Sequence, residues 1–108
     1  MGKHLRTLFP GALIKEEYGV WYEGQYLRVD FYLPHLGLAV EVDGRQHDEY
    51  VPHFHRTRHA YRAAQRRDWD KTEWADMASL RLLRISWRDE GQVSPEWLMQ
   101  RLQGMEGE

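Results

Sequence analysis

The stretch that decides the fold is residues 26–43, which read YLRVDFYLPHLGLAVEVD. Apolar and polar side chains alternate along Tyr26–Leu33 and again along Leu38–Asp43, and this period of two is typical of β-strands. Between these segments, Pro34–Gly37 carries the proline and glycine of a turn. We therefore predict two antiparallel strands that are joined by this turn.

The position of the turn also predicts which residues face each other across the two strands. A loop centred in Pro34–Gly37 sets Asp30 opposite Glu41. The same register sets Arg28 opposite Asp43. Because successive side chains of a strand point to opposite faces, the polar residues share one face and the apolar residues share the other. The predicted core face carries Val29, Phe31, Leu33, Leu38, Val40 and Val42.

The rest of the chain extends this hairpin into an α/β fold. Aromatic and β-branched residues predict a strand over Ile14–Glu23, and RLLRISW predicts another over Arg81–Trp87. Helical periodicity without Gly or Pro predicts a helix from Thr57, as N-cap, to about Ser79. A short helix is expected near residues 3–9, and a last helix begins at Ser94 and ends at Gly104. The predicted order is (α)βββαβα.

Length and composition exclude several classes of protein. The 108 residues and 13.0 kDa correspond to a single domain, and 42% hydrophobic residues with five Trp exclude disorder. The absence of Cys excludes disulfides, thiol catalysis and Cys-ligated zinc. No apolar run approaches the roughly 20 residues of a membrane span, and the N-terminus has no apolar signal core. We therefore expect a soluble, intracellular (cytoplasmic) protein without a membrane partner.

The positive charge is concentrated in one segment, although the net charge is −2. Between His53 and Lys71 there are six Lys or Arg residues against two Asp residues. Arg58, Arg62 and Arg66 recur once per helical turn, a spacing that can follow a phosphate backbone. An ordinary solvated helix face would look the same, but the local excess of positive charge favours a nucleic acid as the partner.

The facing carboxylates Asp30 and Glu41 need a physical reason, since like charges opposite each other destabilise a sheet. A divalent cation with oxygen ligands is the simplest reason, and Mg²⁺ is typically held by one or two carboxylates and substrate phosphate. Alternatively, the two acids diverge into solvent, or Arg28 neutralises both. Asp43 is equally consistent with metal ligation and with an ion pair to Arg28.

Further polar residues follow in the loop and in the long helix. His47 comes four residues after Asp43, close enough to a metal site to act as a general acid or base. Asp68 and Lys71 lie on the helix face that is otherwise small or apolar, which indicates either a site or a solvated ion pair. The histidines at 53–55 match no closed four-ligand zinc pattern.

Together these motifs resemble the PD-(D/E)XK nucleases. They look most like the branch related to very-short-patch-repair endonucleases, the phage and mobile-element nucleases described by an E-D-x-H-D signature. The likeness covers about residues 14–87. It is carried by VDFYLP (29–34), AVEVDGRQH (39–47), YVPHFH (50–55), Arg67–Asp68 with Lys71 and Trp74, and LLRI (82–85). The resemblance implies a restriction-endonuclease-like core, with a mixed central sheet flanked by helices.

The same resemblance implies Mg²⁺-dependent hydrolysis of DNA phosphodiesters, with Mn²⁺ as a substitute. Asp30 matches the central metal-binding Asp, and Glu41 matches the acid of the (D/E)XK pair. His47 matches the His of the signature, and Asp68 matches its final Asp. Glu17 is favoured over Glu16 as the first Glu.

One position departs from the pattern of the superfamily. Asp43 stands where the superfamily has Lys, so another residue must supply the positive charge that stabilises the pentacoordinate phosphorane. The candidates are Lys71, His47 and Arg45.

The expected function is therefore that of a DNA endonuclease encoded by a bacterium or phage. Asp30 and Glu41 hold the metal, His47 moves a proton, and the cations Arg45, Arg58, Arg62 and Arg66 bind DNA phosphates. The chain acts as a monomer or a homodimer, and specificity comes from DNA structure or a protein partner. The main alternative is a catalytically inactive DNA-binding or accessory module that keeps the same fold. A hydrolase of another substrate, or a zinc-stabilised interaction domain, is a third hypothesis.

Overall fold

A computed structural model describes residues 1–44 and 58–106 of the chain, and its central feature is one four-stranded sheet. The strands are β1 (Lys15–Tyr22), β2 (Gln25–Leu33), β3 (Leu38–Asp43) and β4 (Arg81–Ser86), and they lie in that order across the sheet. β1, β2 and β3 pair antiparallel, whereas β4 runs parallel to β3. The sheet is therefore mixed, and the predicted α/β class is confirmed at this level.

Three helices flank the sheet: α1 (Gly2–Leu8), α2 (Arg58–Met77) and α3 (Pro95–Glu106). α2 belongs to the crossover that a parallel pair such as β3 and β4 requires. The predicted cap of α3 is confirmed, since the Ser94 hydroxyl accepts a hydrogen bond from the Trp97 N–H at 3.1 Å. Gly104 does not end this helix, because its backbone does not adopt the left-handed conformation of a terminating glycine. The predicted cap of α2, Thr57, lies outside the described residues.

The hairpin of β2 and β3 has the predicted register. Phe31 pairs with Val40, Tyr32 with Ala39, and Leu33 with Leu38, across a 3₁₀ turn at Pro34–Leu36. Gly37 closes that turn with a φ of 58°, a left-handed backbone conformation that glycine adopts without strain.

Regular pairing between β2 and β3 is limited to the three residues of each strand nearest the turn, and it stops at Phe31 and Val40. There the Asp30 carboxylate accepts the N–H of Val42 at 2.7 Å, so a side chain replaces a rung of the ladder. Neither of the predicted pairs Asp30–Glu41 and Arg28–Asp43 is among the paired residues of β2 and β3.

The main core lies between the sheet and the layer formed by α1 and α3. Burying each such aliphatic side chain stabilises the fold by about 1.5–3 kcal/mol. Val42 was expected in this core, but it is 41% exposed because it borders an open cleft with Gly44 and Trp87 at the end of β3. The buried residues of this core are Leu5, Leu33, Leu38, Val40, Leu83, Ile85, Leu98 and Leu102.

α2 covers the other face of the sheet, and most of its own surface is polar. It is 20 residues long, and Ala75 is its fully buried residue. Arg58, Arg62 and Arg66 are all exposed to solvent. Within the two described ranges, no helix combines the length and the apolar character needed to cross a bilayer.

Candidate active site in the cleft between the sheet and α2

A cleft of about 500 Å³ opens between β2, β3 and α2, and charged side chains dominate its lining. Because α2 packs beside the polar face of the sheet, residues that are far apart in sequence meet there. The acids are Asp30, Glu41 and Asp68, and the bases are Arg28, Arg67 and Lys71. Four of the sequence-predicted site residues therefore border one cleft: Asp30, Glu41, Asp68 and Lys71.

Glu41 is the buried acid of this cleft, with a side chain that is only 7% exposed. Its Oε1 lies 2.8 Å from Nζ of Lys71, whose side chain is 13% exposed. Burial raises the pKa of Glu41, the hydrogen bond and charge of Lys71 oppose that rise, and the charges of Asp30 and Asp43 add to it. Among the described residues, no group donates a hydrogen bond to the buried Glu41 Oε2. That oxygen therefore retains capacity for a cation or a donor.

Asp30 is half-buried and borders clefts on two sides. One of its oxygens is held by the Val42 N–H, which fixes the direction of the carboxylate. Besides the cleft shared with Glu41, Asp30 lines a second cleft of about 460 Å³ together with Glu16 and Glu17. Asp30 therefore borders both the cleft of the β1 acids Glu16 and Glu17 and the cleft of the Glu41–Lys71 pair.

Glu17 occupies a strained position in β1. The pairs Glu16–Phe31 and Tyr18–Val29 flank it, which sets Glu17 opposite Asp30 where the regular pairing is interrupted. Its φ of 48° is left-handed, a conformation that costs a non-glycine residue about 1–3 kcal/mol. Glu16 is engaged elsewhere, in an ion pair with Arg6 at 3.0 Å. The geometry is therefore compatible with the preference for Glu17 over Glu16.

Arg84 of β4 is a site residue that sequence reasoning missed. Its Nη1 lies 3.6 Å from Asp43 Oδ2 and 3.8 Å from Asp68 Oδ1. Its Nη2 donates to the main-chain carbonyl of Asp68 and, at 2.9 Å, to the Thr72 hydroxyl. Arg84 therefore anchors α2 to the sheet.

This contact corrects one prediction, because the ion pair of Asp43 is with Arg84 and not with Arg28. The signal for Arg84 was its place between the buried Leu83 and Ile85, which puts it on the polar face. The sequence alone could not show that Arg84 pairs with Glu41 across the parallel strands, because it does not give the register of β4.

Three of the arginines predicted to bind DNA lie outside the cleft that holds the candidate acids. Arg58, Arg62 and Arg66 do not line the cleft of Glu41; Arg66 borders another cleft, with the acids Glu23, Asp70 and Glu73. Two arginines that the sequence analysis did not assign to DNA binding, Arg28 and Arg67, line the Glu41 cleft instead. His47 and Arg45 lie outside the described residues.

The acids of the cleft offer few oxygen ligands to a metal ion. In residues 1–44 and 58–106, no group of three or more His, Cys, Asp or Glu residues is arranged to hold a metal ion. The predicted third ligand, Asp43, is ion-paired with Arg84 through its Oδ2. Asp30 and Glu41 border the same cleft, and Glu41 keeps a buried oxygen that no described residue hydrogen-bonds. Two carboxylates fit Mg²⁺, because that ion usually keeps several waters and substrate phosphate oxygens.

Comparison with known proteins finds one significant similarity. The chain is 37% identical over 59 residues to Uncharacterized protein 307L of Invertebrate iridescent virus 6. The matched segment is 55% of this chain and 30% of the viral protein, so the chain spans less than a third of that relative. No family model matches the sequence, and no solved structure matches it.

Proposed function

We propose that the chain is a Mg²⁺-dependent DNA endonuclease with a restriction-endonuclease-like core of the very-short-patch-repair type. The observation that carries the proposal is the buried Glu41–Lys71 pair beside Asp30, in a cleft that Arg28 and Arg67 also line. A cleft that combines acids with cations suits a phosphodiester, whose charge the cations balance while the acids hold the metal.

Each residue of the cleft has a distinct role in this proposal. Asp30 and Glu41 would hold Mg²⁺, which when bound lowers the pKa of a water molecule and offsets charge on the phosphate. Lys71 gives one N–H to Glu41 and has further N–H groups for a phosphate oxygen. Arg28 and Arg67 bind flanking phosphates, which supplies affinity without reading sequence. The proton-transfer role of His47 remains part of the proposal.

Lys71 is also our proposed substitute for the lysine that the superfamily carries at the position of Asp43. The amine comes from α2 instead of β3, yet it reaches the same acid, Glu41. Asp43 is compatible with this exchange because Arg84 balances its charge. A phosphate that enters the cleft would then meet Lys71 at the buried acid and the arginines nearer to solvent.

A plasmid-nicking assay tests the proposal. Supercoiled DNA is incubated with purified protein in Mg²⁺, Mn²⁺ or EDTA, and open-circle and linear products are quantified. We expect cleavage with either metal and none in EDTA. Asp30→Asn and Glu41→Gln should reduce the rate by at least about 100-fold, the scale of losing one charge-stabilising group. Glu96→Gln, on the exposed side of α3, is the matched control and should cleave at the wild-type rate.

Three results would contradict the proposal. Cleavage that continues in EDTA, or that survives in Asp30→Asn, contradicts metal-assisted hydrolysis at this cleft. If plasmid is not cut, branched and mismatched duplexes are tested next, and failure to cut any of them in Mg²⁺ or Mn²⁺ also contradicts the proposal.

The second candidate is a DNA-binding module without catalysis. Two observations favour it: Lys71 already neutralises Glu41, and no three-ligand metal group exists among the described residues. Such a module would bind DNA with an affinity that falls steeply with salt, because phosphate contacts release counterions. It would cleave no substrate in any metal, and its binding would not change in Asp30→Asn.

A further inference from the structure

We propose that the aromatic pair Trp21 and Tyr26, at the end of the β1–β2 hairpin, stacks on unpaired nucleobases. The substrate class is then DNA with a single-stranded segment that leads into the cleft of Glu41. This inference rests on the proposed function and specifies its substrate.

The pair presents an unusually large aromatic surface to solvent. Trp21 is 74% exposed and Tyr26 is 53% exposed. The two residues are cross-strand partners, and their rings meet edge to face with centroids 5.3 Å apart. Exposed aromatic groups that lie together more often mark a binding surface than isolated exposed side chains do.

The ring of Tyr26 packs over a glycine of the neighbouring strand. A Cβ atom at position 19 would overlap the phenol ring and hydroxyl of Tyr26, so glycine is needed where the ring crosses β1. Gly19 therefore lets the Tyr26 ring lie against the backbone of the neighbouring strand. A ring that is held in this way loses little conformational entropy on binding, which favours stacking.

The aromatic pair is continuous with the candidate active site. Tyr26 itself lines the cleft, and Arg28 and Asp30 follow it at alternate positions of β2. At about 3.3 Å per residue, Tyr26 and Asp30 are about 13 Å apart along the strand. That length corresponds to about four nucleotides of stacked strand. One chain of nucleotides can therefore reach from the rings to the acids.

The charges around the pair favour a nucleic acid strand over an apolar protein partner. The cleft that Tyr26 borders holds three acids and three bases, but Arg28 and Arg67 are exposed to solvent, whereas its acids are buried or half-buried. The acids Glu23 and Asp70 border a different cleft, next to Tyr22. Aromatic platforms combined with basic grooves are the usual means of binding single strands. In a duplex, by contrast, both faces of each base are already covered by stacking.

Binding is measured by fluorescence anisotropy of a labelled oligothymidylate and of a duplex of equal length, with EDTA present so that no strand is cut. We expect Trp21→Ala to weaken oligothymidylate binding by about 5- to 150-fold, the loss of one stacked base. Trp21→Phe keeps an aromatic face and should stay within about threefold of wild type, whereas Trp21→Leu should behave like Ala. Gly19→Ala, which displaces the Tyr26 ring, should also weaken binding.

Trp69 provides a matched control. It is 66% exposed on α2, and neither it nor Trp21 lines the cleft, but Trp21 contacts Tyr26, which does. Trp69→Ala should therefore bind oligothymidylate like wild type. Circular dichroism and thermal melts of each variant confirm that it is folded. Equal losses in Trp21→Ala and Trp69→Ala, or unchanged binding in Trp21→Ala, would overturn the inference. So would a preference of the wild type for duplex.

The outcome is separable from that of the proposed function. Failure of every substrate to be cut in Mg²⁺ would count against the nuclease while leaving the binding result intact. Cleavage of plasmid by a Trp21→Ala variant that also binds oligothymidylate normally would instead count against the stacking pair alone.

Discussion

Replacing Lys71 by Met should leave the buried carboxylate of Glu41 without its counterion, and the resulting loss of stability can be calculated from the geometry. Lys71 Nζ lies 2.8 Å from Glu41 Oε1, and the two side chains are 13% and 7% exposed. Removing one partner of such a pair destabilises a protein by about 3–5 kcal/mol. Because Lys71 borders an open cleft, we expect the lower end, about 3 kcal/mol at neutral pH. For a domain of about 100 residues this lowers Tm by about 12–24 °C.

The loss should depend on pH in a defined direction. Burial already raises the pKa of Glu41 above its ordinary value of 4.5, and the variant removes the lysine that opposes the rise. The folded state then binds a proton that the unfolded state has released, so stability falls as pH rises above about 4.5. The slope is at most about 1.4 kcal/mol per pH unit. Below that pH, Glu41 is protonated in both states and most of the penalty disappears.

Urea unfolding followed by circular dichroism measures the free energy of unfolding between about pH 4 and pH 8. The double variant Glu41→Met/Lys71→Met is the control, because it removes both charges and keeps side chains of similar length. It should lie within about 1 kcal/mol of wild type, since apolar replacements of buried pairs are often neutral. A pH-independent loss in Lys71→Met, or a double variant as unstable as the single one, would refute the reasoning.

Three further substitutions test other parts of the structure. Arg84→Lys should lower the free energy of unfolding by about 1–2 kcal/mol in urea titrations, because an ammonium cannot bond both Asp68 and its neighbours as the guanidinium fork does. An unchanged midpoint would mean that the fork contributes no stability. Ser94→Ala removes the cap on the Trp97 N–H and should lower the free energy of unfolding by about 1 kcal/mol in thermal melts. Ser94→Asp can still accept that N–H and should retain most of the wild-type stability. Glu17→Gly relieves a left-handed backbone and should raise stability by up to about 1 kcal/mol while lowering plasmid cleavage, and a gain in both would remove Glu17 from the candidate site.

The hairpin shows what local sequence can determine. The alternation of side chains and the length of the turn at Pro34–Gly37 predicted the pairing of Phe31 with Val40, and the structure has that pairing. Ser94 as a helix cap was predicted equally well, because a cap depends only on the residues that follow it. Both features arise from interactions between residues close together in the chain.

The hairpin also has features that its local sequence did not predict. The register alone predicted Asp30 and Glu41 as simple neighbours, but Asp30 instead captures the N–H of Val42 and interrupts the ladder. Val42 was assigned to the core from its alternation, yet it borders an open cleft. Alternation identifies the face of a strand, whereas the position of the covering helices decides how much of that face is buried.

The sequence by itself therefore determined the α/β class, the hairpin register and the set of acids from which a site can be built. Only the tertiary structure decided which cation meets which acid. Lys71 is 30 positions from Glu41 in the chain, and Arg84 reaches Asp43 and Asp68 from a parallel strand. The physical reason is that strand pairing across a tight turn is set by local geometry, whereas the register of β4 and the position of α2 depend on how the whole sheet packs.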